Sequence, residues 1–427
     1  MPGRANRGRT FTELAPQGYR EQTTRLLRGH VRGGGGMAVA RRALLAGTTA
    51  ALALAMGFTA PVSASAQNTG ASAGAAQSAD AALNRALTRL IRHADGPPGI
   101  AVVVQRGGRA VLHRAGTANL ATGALIRASD SMRLASVAKA FSGAAALSLV
   151  AAGRLSLGDT VGRRLPGLPR AWSKVTLREL LQHTSGIPTY ITKAFGKALT
   201  KSPHKAPPPP VLLSFAPKRL NFPPGSKYEY SNSDNIVVGL MVQAATGKSY
   251  ESQLRERVFA PLGLARTSLP RGSALPAPFV HGYAVAPPQP PDDVTHAFAA
   301  GWAWASGGVV STPRDTNAFI RAYARGATTS PAAHRAQFTF RPGSSEPPGP
   351  GRNSAGLAIF RYQTRCGTVY GHTGNTEGYT QFAAATRNGS RSAVVSVNAK
   401  ITQHSNPARF RELRQIYTLA VCAALAR

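Results

Sequence analysis

The stretch that most limits how this chain can fold is the run from Val137 to Val150. It holds Val137, Phe141, Ala144, Ala145, Leu147, Leu149 and Val150 and is apolar nearly all round. A helix of this kind must be covered on most faces, so it predicts a helix at the centre of a large core, with Gly153 as its stop. Ser136 and Lys139 stand at its start. Residues three apart on a helix share a face, with Cβ atoms about 5–6 Å apart, so the amine can reach the hydroxyl. A serine hydroxyl is a weak nucleophile until a neighbouring base activates it. The first turn also points backbone N–H groups at any negative charge that develops there. Ser-x-x-Lys alone is a cheap pattern, and its chemistry depends on partners further along the chain.

Around this run the elements follow an order. Ala79 to His93 places Leu83, Leu87, Leu90 and Ile91 on one helical face, and Pro97-Pro98 breaks the helix. Two apolar segments, Gly99–Gln105 and Ala110–Arg114, flank Arg106-Gly107-Gly108 and predict a hairpin. Thr176 to Leu181 reads as a capped helix start. Ile236 to Ala245 reads as an apolar helix closed by Gly247, and a further helix starts at Thr312-Pro313 and runs through Tyr323. Lys201–Pro210 and Pro342–Arg352 read as loops. Thr368–His372, Thr380–Ala385 and Ala393–Asn398 are strand-like, with a tight turn at Arg387-Asn388-Gly389. Asn406-Pro407 caps a last helix bearing Phe410, Leu413, Ile416, Tyr417, Ala420 and Leu425. Strands at both ends and helices between them predict a sheet assembled from N- and C-terminal parts, with a helical insertion.

Two more constellations carry chemistry. Tyr230-Ser231-Asn232 lies between Pro223-Pro224-Gly225 and an apolar helix. A phenol beside a cationic lysine can lose its proton more easily and act as a base, and an Asn amide can hold a substrate carbonyl and the lysine together. Gly371-His372-Thr373-Gly374 follows a strand, where glycine lets a substrate backbone lie along the strand edge. Each alone is equally well a packed tyrosine or a turn with an incidental histidine.

Taken in order, Ser-x-x-Lys, Tyr-x-Asn and His-Thr-Gly resemble the motif set of the penicillin-recognising serine hydrolases, in the D-alanyl-D-alanine carboxypeptidase and class C-like β-lactamase branch. The stretches Leu180–Gly186, Pro224–Asn232 and Ala305–Ser311 add to the resemblance, which covers about residues 80–425. It implies an α/β (α+β) fold: a β-lactamase/DD-peptidase-like antiparallel sheet flanked by helices, with an all-helical region. It implies Ser136 as nucleophile, and Lys139 and Tyr230 sharing the proton transfers. Asn232, His372, Thr373, Gly374 and Asn375 would bind substrate, with an oxyanion hole at the backbone N–H of Ser136 and of Asn375. Trp302 would line the cleft, and Arg361 is the candidate for gripping a substrate carboxylate, although Leu357–Arg365 does not align cleanly and Asn375 stands where a threonine is expected. Ser233-Asp234-Asn235 offers a competing Ser-Asp-Asn assignment, which the preceding Tyr and Pro-Gly stretch disfavour. The activity implied is a serine D-alanyl-D-alanine carboxypeptidase acting on peptidoglycan stem peptides and acylated by β-lactams. A class C-like β-lactamase, and an esterase or D-aminopeptidase on the same scaffold, are the alternatives. A non-catalytic binder of β-lactams or cell-wall peptides would have no use for the Ser136/Lys139/Tyr230 set. No cofactor and no metal are expected.

The N-terminus reads separately. Residues 1–36 carry seven Arg and many Gly without periodicity and predict a disordered basic extension, with translation starting at Met37. Residues 37–66 combine Arg41-Arg42, an apolar stretch from Leu44 to Met56, and Ala64-Ser65-Ala66 before Gln67, which is a secretory signal pattern; an uncleaved membrane anchor is the other reading. Residues 67–78 read as a flexible tail and 79–427 as the hydrolase domain. The two cysteines, Cys366 and Cys422, predict one disulfide in an exported protein, with two buried thiols as the alternative; a similar bridge occurs in the secreted carboxypeptidases. The chain carries 51 basic against 17 acidic residues, net +34. The Arg residues are scattered and no nucleic-acid motif is present, so association with anionic cell-envelope polymers is the expectation, with a peptidoglycan peptide or β-lactam as substrate and a monomer as the state.

Overall fold

The computed structural model describes residues 66–342, 344 and 346–426. The expected basic extension and almost all of the signal segment lie outside the described residues. The first element is helix α1, Ala66–Arg92. It includes residues 67–78, which differs from the expected flexible tail: Ala71, Ala73, Ala75 and Ala76 are the strongest helix formers and outnumber the two opposing glycines, Gly70 and Gly74. The hairpin follows as β1, Gly99–Arg106, and β2, Arg109–Gly116, paired in full register with Gly107 left-handed in the turn.

The helical middle holds α2, Ala138–Ala151; α3, Leu177–Gln182; α4, Lys193–Lys201; α5, Asn232–Thr246; and α6, Pro313–Ala324. Their ends follow the sequence signals. Thr176 and Glu179 form a reciprocal capping box on α3, Gly247 closes α5 with positive φ, and Thr312 caps α6 with Pro313 at its first position. The chain returns to the sheet as β3, Arg352–Ala355; β4, Phe360–Thr364; β5, Gly367–Thr376; β6, Tyr379–Ala385; and β7, Arg391–Val397, then ends in α7, Pro407–Leu425. The sheet order is β2-β1-β7-β6-β5-β4-β3, antiparallel throughout. β1 joins N- and C-terminal strands through its pairing with β7 from Ile100–Val397 to Arg106–Arg391. β3 and β4 fall in a region read from sequence as a loop and an unaligned segment.

Helices cover both faces of the sheet, which is why β1 and β7 are apolar at consecutive positions rather than alternate ones. On one face Val102, Val104 and Val395 pack with Leu83, Leu87 and Leu90 of α1 and Phe410, Leu413 and Tyr417 of α7. On the other, Val103, Ala383 and Val394 join the core built round α2, α5 and α6. Helix α2 is buried on nearly every side, with Phe141 stacked on Phe319 of α6. Cys366, in the β4–β5 turn, is disulfide-bonded to Cys422 of α7, tying the sheet to the last helix. Among the described residues no helix is long and apolar enough to cross a membrane.

Candidate active site

Ser136 sits in a 3-10 turn, Ala135–Val137, that runs directly into α2. Ala135 holds φ 48°, a left-handed conformation that a residue with a Cβ adopts only under constraint from its surroundings. The constraint is visible: Leu134 N–H bonds Val309 O on one side, and β5 presses on the other. β4 begins at Phe360, opposite Gly371, so residues 372–376 of β5 pair with β6 on one edge only. The turn of Ser136 lies against that strand. A Cβ at Gly374 would stand 2.5 Å from Leu134 O, 2.9 Å from Ser136 N and 3.1 Å from Val137 N, so only glycine permits the approach.

Lys139 is completely buried, and its Nζ makes three contacts: Ser136 Oγ at 3.0 Å, Asn232 Oδ1 at 2.8 Å and Ser306 O at 2.7 Å. Burial drives its pKa down to about 7, against the opposing pull of the Asp234 carboxylate. That displacement corresponds to about 5 kcal/mol against the charged form. Asn232 opens α5, and its Oδ1 is held by the lysine. Tyr230 places its ring 4.9 Å from Lys139 Nζ, and its buried hydroxyl has no hydrogen-bond partner. The expectation that the lysine would lower this phenol is corrected: burial dominates and pushes the Tyr230 pKa up, with the nearby Ser136 hydroxyl acting in the other direction. The environment therefore separates the two candidate bases, with lysine about half neutral at pH 7 and tyrosine protonated.

His372 is fully buried beside this group, 6.2 Å from the Tyr230 ring, with Nδ1 2.5 Å from Thr373 O and Nε2 without a partner. Burial first, and the charge of Lys139 second, lower its pKa to about 3, so it adds no positive charge to the site. Thr373 Oγ1 is also buried without a hydrogen-bond partner, whereas Asn375 is exposed at the strand edge.

Two expected residues do not join this group. Trp302 is only 4% exposed; its indole N–H donates to Ser202 O and its ring meets Phe195 edge-on, so it forms wall rather than lining. Arg361 donates to Ser354 Oγ and lies over the Phe340 ring. Of the competing set, Ser233 Oγ donates to Pro188 O and Asn235 Nδ2 donates to Ser142 Oγ, whereas Asn232 is the one bonded to Lys139.

Four residues in the site's support were given no role of their own from sequence, although His183 and Ser185 lie in the Leu180–Gly186 stretch and Asp234 in the competing Ser-Asp-Asn set. His183, left-handed at φ 57°, has Nδ1 2.8 Å from Asp234 Oδ2, and its ring lies 4.5 Å from that of Tyr230. Ser185 Oγ donates to the other Asp234 oxygen. Burial lowers the His183 pKa and raises that of Asp234. Tyr190 contacts Ser306 Oγ at 3.0 Å, fixing the residue whose carbonyl holds Lys139.

The beta-lactamase family model matches residues 87–418. Protein flp of Staphylococcus aureus (strain N315) is 30% identical over 177 residues, covering 40% of this chain and 34% of its own length. Penicillin-binding protein 4* of Bacillus subtilis (strain 168) is 29% identical over 170 residues, 39% of this chain and 37% of its own. The matches thus span about a third of the length of these curated relatives. Among solved structures, the D-stereospecific amidohydrolase from Streptomyces sp. is 30% identical, with a TM-score of 0.68 over 78% of this chain and 98% of that one. The D-amino acid amidase from Ochrobactrum anthropi SV3, 23% identical, shares the fold at a TM-score of 0.71 over 81% and 98% of the two chains. Family match, full-length structural relative and sheet topology agree: the chain belongs to the beta-lactamase family, within the penicillin-recognising serine hydrolases.

Proposed function

We propose that this hydrolase cleaves amide bonds on the carbonyl side of a D-configured residue through an acyl-enzyme on Ser136. The observation that carries the reading is the buried Lys139 amine, 3.0 Å from Ser136 Oγ with its pKa at about 7. Neutral Lys139 accepts the Ser136 proton as Oγ attacks the carbonyl. The developing oxyanion is met by the backbone N–H of Ser136 and of Asn375 across the narrow gap that Gly374 maintains; one such donor is worth about 3 kcal/mol of barrier. Tyr230, protonated in its buried site, gives its phenol proton to the leaving amine and regains one from the Lys139 ammonium, which returns to the neutral amine. Asn232, its oxygen held by Lys139, offers its amide hydrogens to the acyl side of the substrate. The free edge of β5 takes the substrate backbone as an added strand. Water then resolves the ester, and Lys139 serves again as base.

The choice of an amidase is supported by the D-stereospecific amidohydrolase, matched over 98% of its chain, and by Arg361, whose guanidinium is engaged with Ser354 and Phe340. The D-alanyl-D-alanine carboxypeptidase expected from the motifs is the second reading, favoured by the likeness to penicillin-binding protein 4*. Export to an oxidising compartment is part of the proposal and is supported by the Cys366–Cys422 bond. Initial rates on D- and L-phenylalanine amide, a D-alanyl-D-alanine peptide and benzylpenicillin test it. The proposal expects the D-amide to exceed its enantiomer by at least about 100-fold. A peptide rate tenfold above the D-amide would select the carboxypeptidase, and rapid penicillin turnover the β-lactamase.

A further inference from the structure

Lysine is scarce in this chain and unevenly placed. Six of its ten lysines fall between residues 193 and 227, where Arg219 is the one arginine, although arginine outnumbers lysine fourfold overall. No aspartate or glutamate lies between Glu179 and Glu229. Along α4 the lysines recur at 193, 197 and 201, every fourth residue, which places them in one stripe rising about 6 Å per step. Lys205 follows in the irregular segment after the helix ends at Lys201. All four are exposed, and none enters an ion pair among the described residues, unlike Lys248 with Glu256.

The helix that carries the stripe is tied, through packed side chains, to residues that hold the Ser136 site. Phe195, on the buried side of α4, packs against Tyr190, Phe215 and Trp302. The segment after α4 is pinned by Trp302 Nε1 on Ser202 O at 3.1 Å and by Ala299 N on Pro203 O at 2.8 Å. Tyr190 in turn touches Ser306, whose carbonyl holds Lys139. Three like charges aligned on α4, with a fourth in the segment that follows and no acidic residue nearby in the sequence, repel one another and attract a polymer whose charges repeat along a line. Lysine suits phosphate as a compact point charge. The aromatic of α4 is turned inward, so the face lacks the stacking platform that a single-stranded nucleic acid would use.

We propose that the Lys193–Lys197–Lys201–Lys205 face docks a linear phosphodiester polymer of the cell envelope and holds the enzyme with its catalytic cleft beside that polymer. This does not depend on the hydrolytic reading, because binding is measured separately from turnover and also in Ser136→Ala. The experiment measures affinity for poly(glycerol phosphate) across a salt series in the wild type and in a variant with all four lysines changed to Gln. A control variant carries Arg85, Arg109, Arg352 and Arg411 changed to Gln, four exposed cations elsewhere. The expected result is a loss of at least tenfold at low salt for the lysine variant. Its slope of log affinity against log salt should flatten by about 0.7 for each lysine removed. The arginine control and the four-fold Lys→Arg variant should bind as wild type, with small-amide hydrolysis unchanged in all. Equal losses in the lysine and arginine variants would assign binding to diffuse net charge and overturn the proposal. So would the absence of binding in the wild type, or an equally tight, lysine-dependent affinity for an oligo-dT of matched charge.

Discussion

Replacing Lys139 by Arg tests the claim that a neutral lysine is the base. A lysine at its ordinary pKa of 10.5 is neutral in about one molecule in 3,000 at pH 7, whereas at about 7 it is neutral in about half. Burial therefore supplies roughly a thousandfold in the population of competent base. Arginine stays protonated throughout the working range, so Lys139→Arg should lower kcat/KM for a D-amino-acid anilide by at least about 10³ at pH 7. In the wild type, kcat/KM should rise tenfold per pH unit below about 7 and level off above it, since only the deprotonated amine accepts the serine proton. The Asp234 carboxylate favours the charged lysine, so Asp234→Asn should move that limb to lower pH. Initial rates from pH 5 to 9, with melting curves to confirm folding, decide the matter. A flat profile over that range, or a Lys139→Arg enzyme retaining a tenth of wild-type activity, would refute the reasoning.

Other consequences follow from the same contacts. Gly374→Ala places a Cβ 2.5 Å from Leu134 O and should reduce acylation by at least about 100-fold, measured by burst kinetics, as the Ser136 turn is forced off β5. His372 has a folded pKa of about 3 against 6.5 unfolded, so the unfolded chain binds the extra proton between those values. Stability should then fall as pH drops from 6.5 towards 3, and His372→Gln should flatten the melting temperature across that window. The Cys366–Cys422 bond closes a separation of 56 residues; removing it with Cys366→Ala/Cys422→Ala should cost about 4 kcal/mol in the chain-entropy account and lower the melting temperature by about 5 °C.

Most of the frame was legible in the chain because its signals are local. α2 is apolar on every face, α3 carries its capping box, α5 its closing glycine and β1–β2 their turn. β3 and β4 were not, because Arg352–Ala355 is short and polar and gains strand character only by pairing with β4, which in turn pairs with β5. In the site, the Ser136–Lys139 spacing speaks through the helix itself, and Asn232 joined it through its motif although 93 residues separate it from Lys139. His183 and Asp234, 51 residues apart, form a buried pair that no periodicity encodes. The Tyr230 phenol was misjudged because sequence shows a neighbouring charge but not the desolvation that outweighs it. The lysine stripe was missed for a related reason: residues four apart do not form a run, and they line up only once the helix exists.

The central claim is a covalent acyl intermediate on Ser136. Intact-mass spectrometry after acid quench, within the first turnovers of a D-phenylalanine p-nitrophenyl ester, tests it most directly. The account predicts a transient mass increase of one acyl group, mapped by proteolysis to Ser136 and absent from Ser136→Ala. Hydrolysis with no adduct at any quench time, or an adduct on another residue, would contradict it.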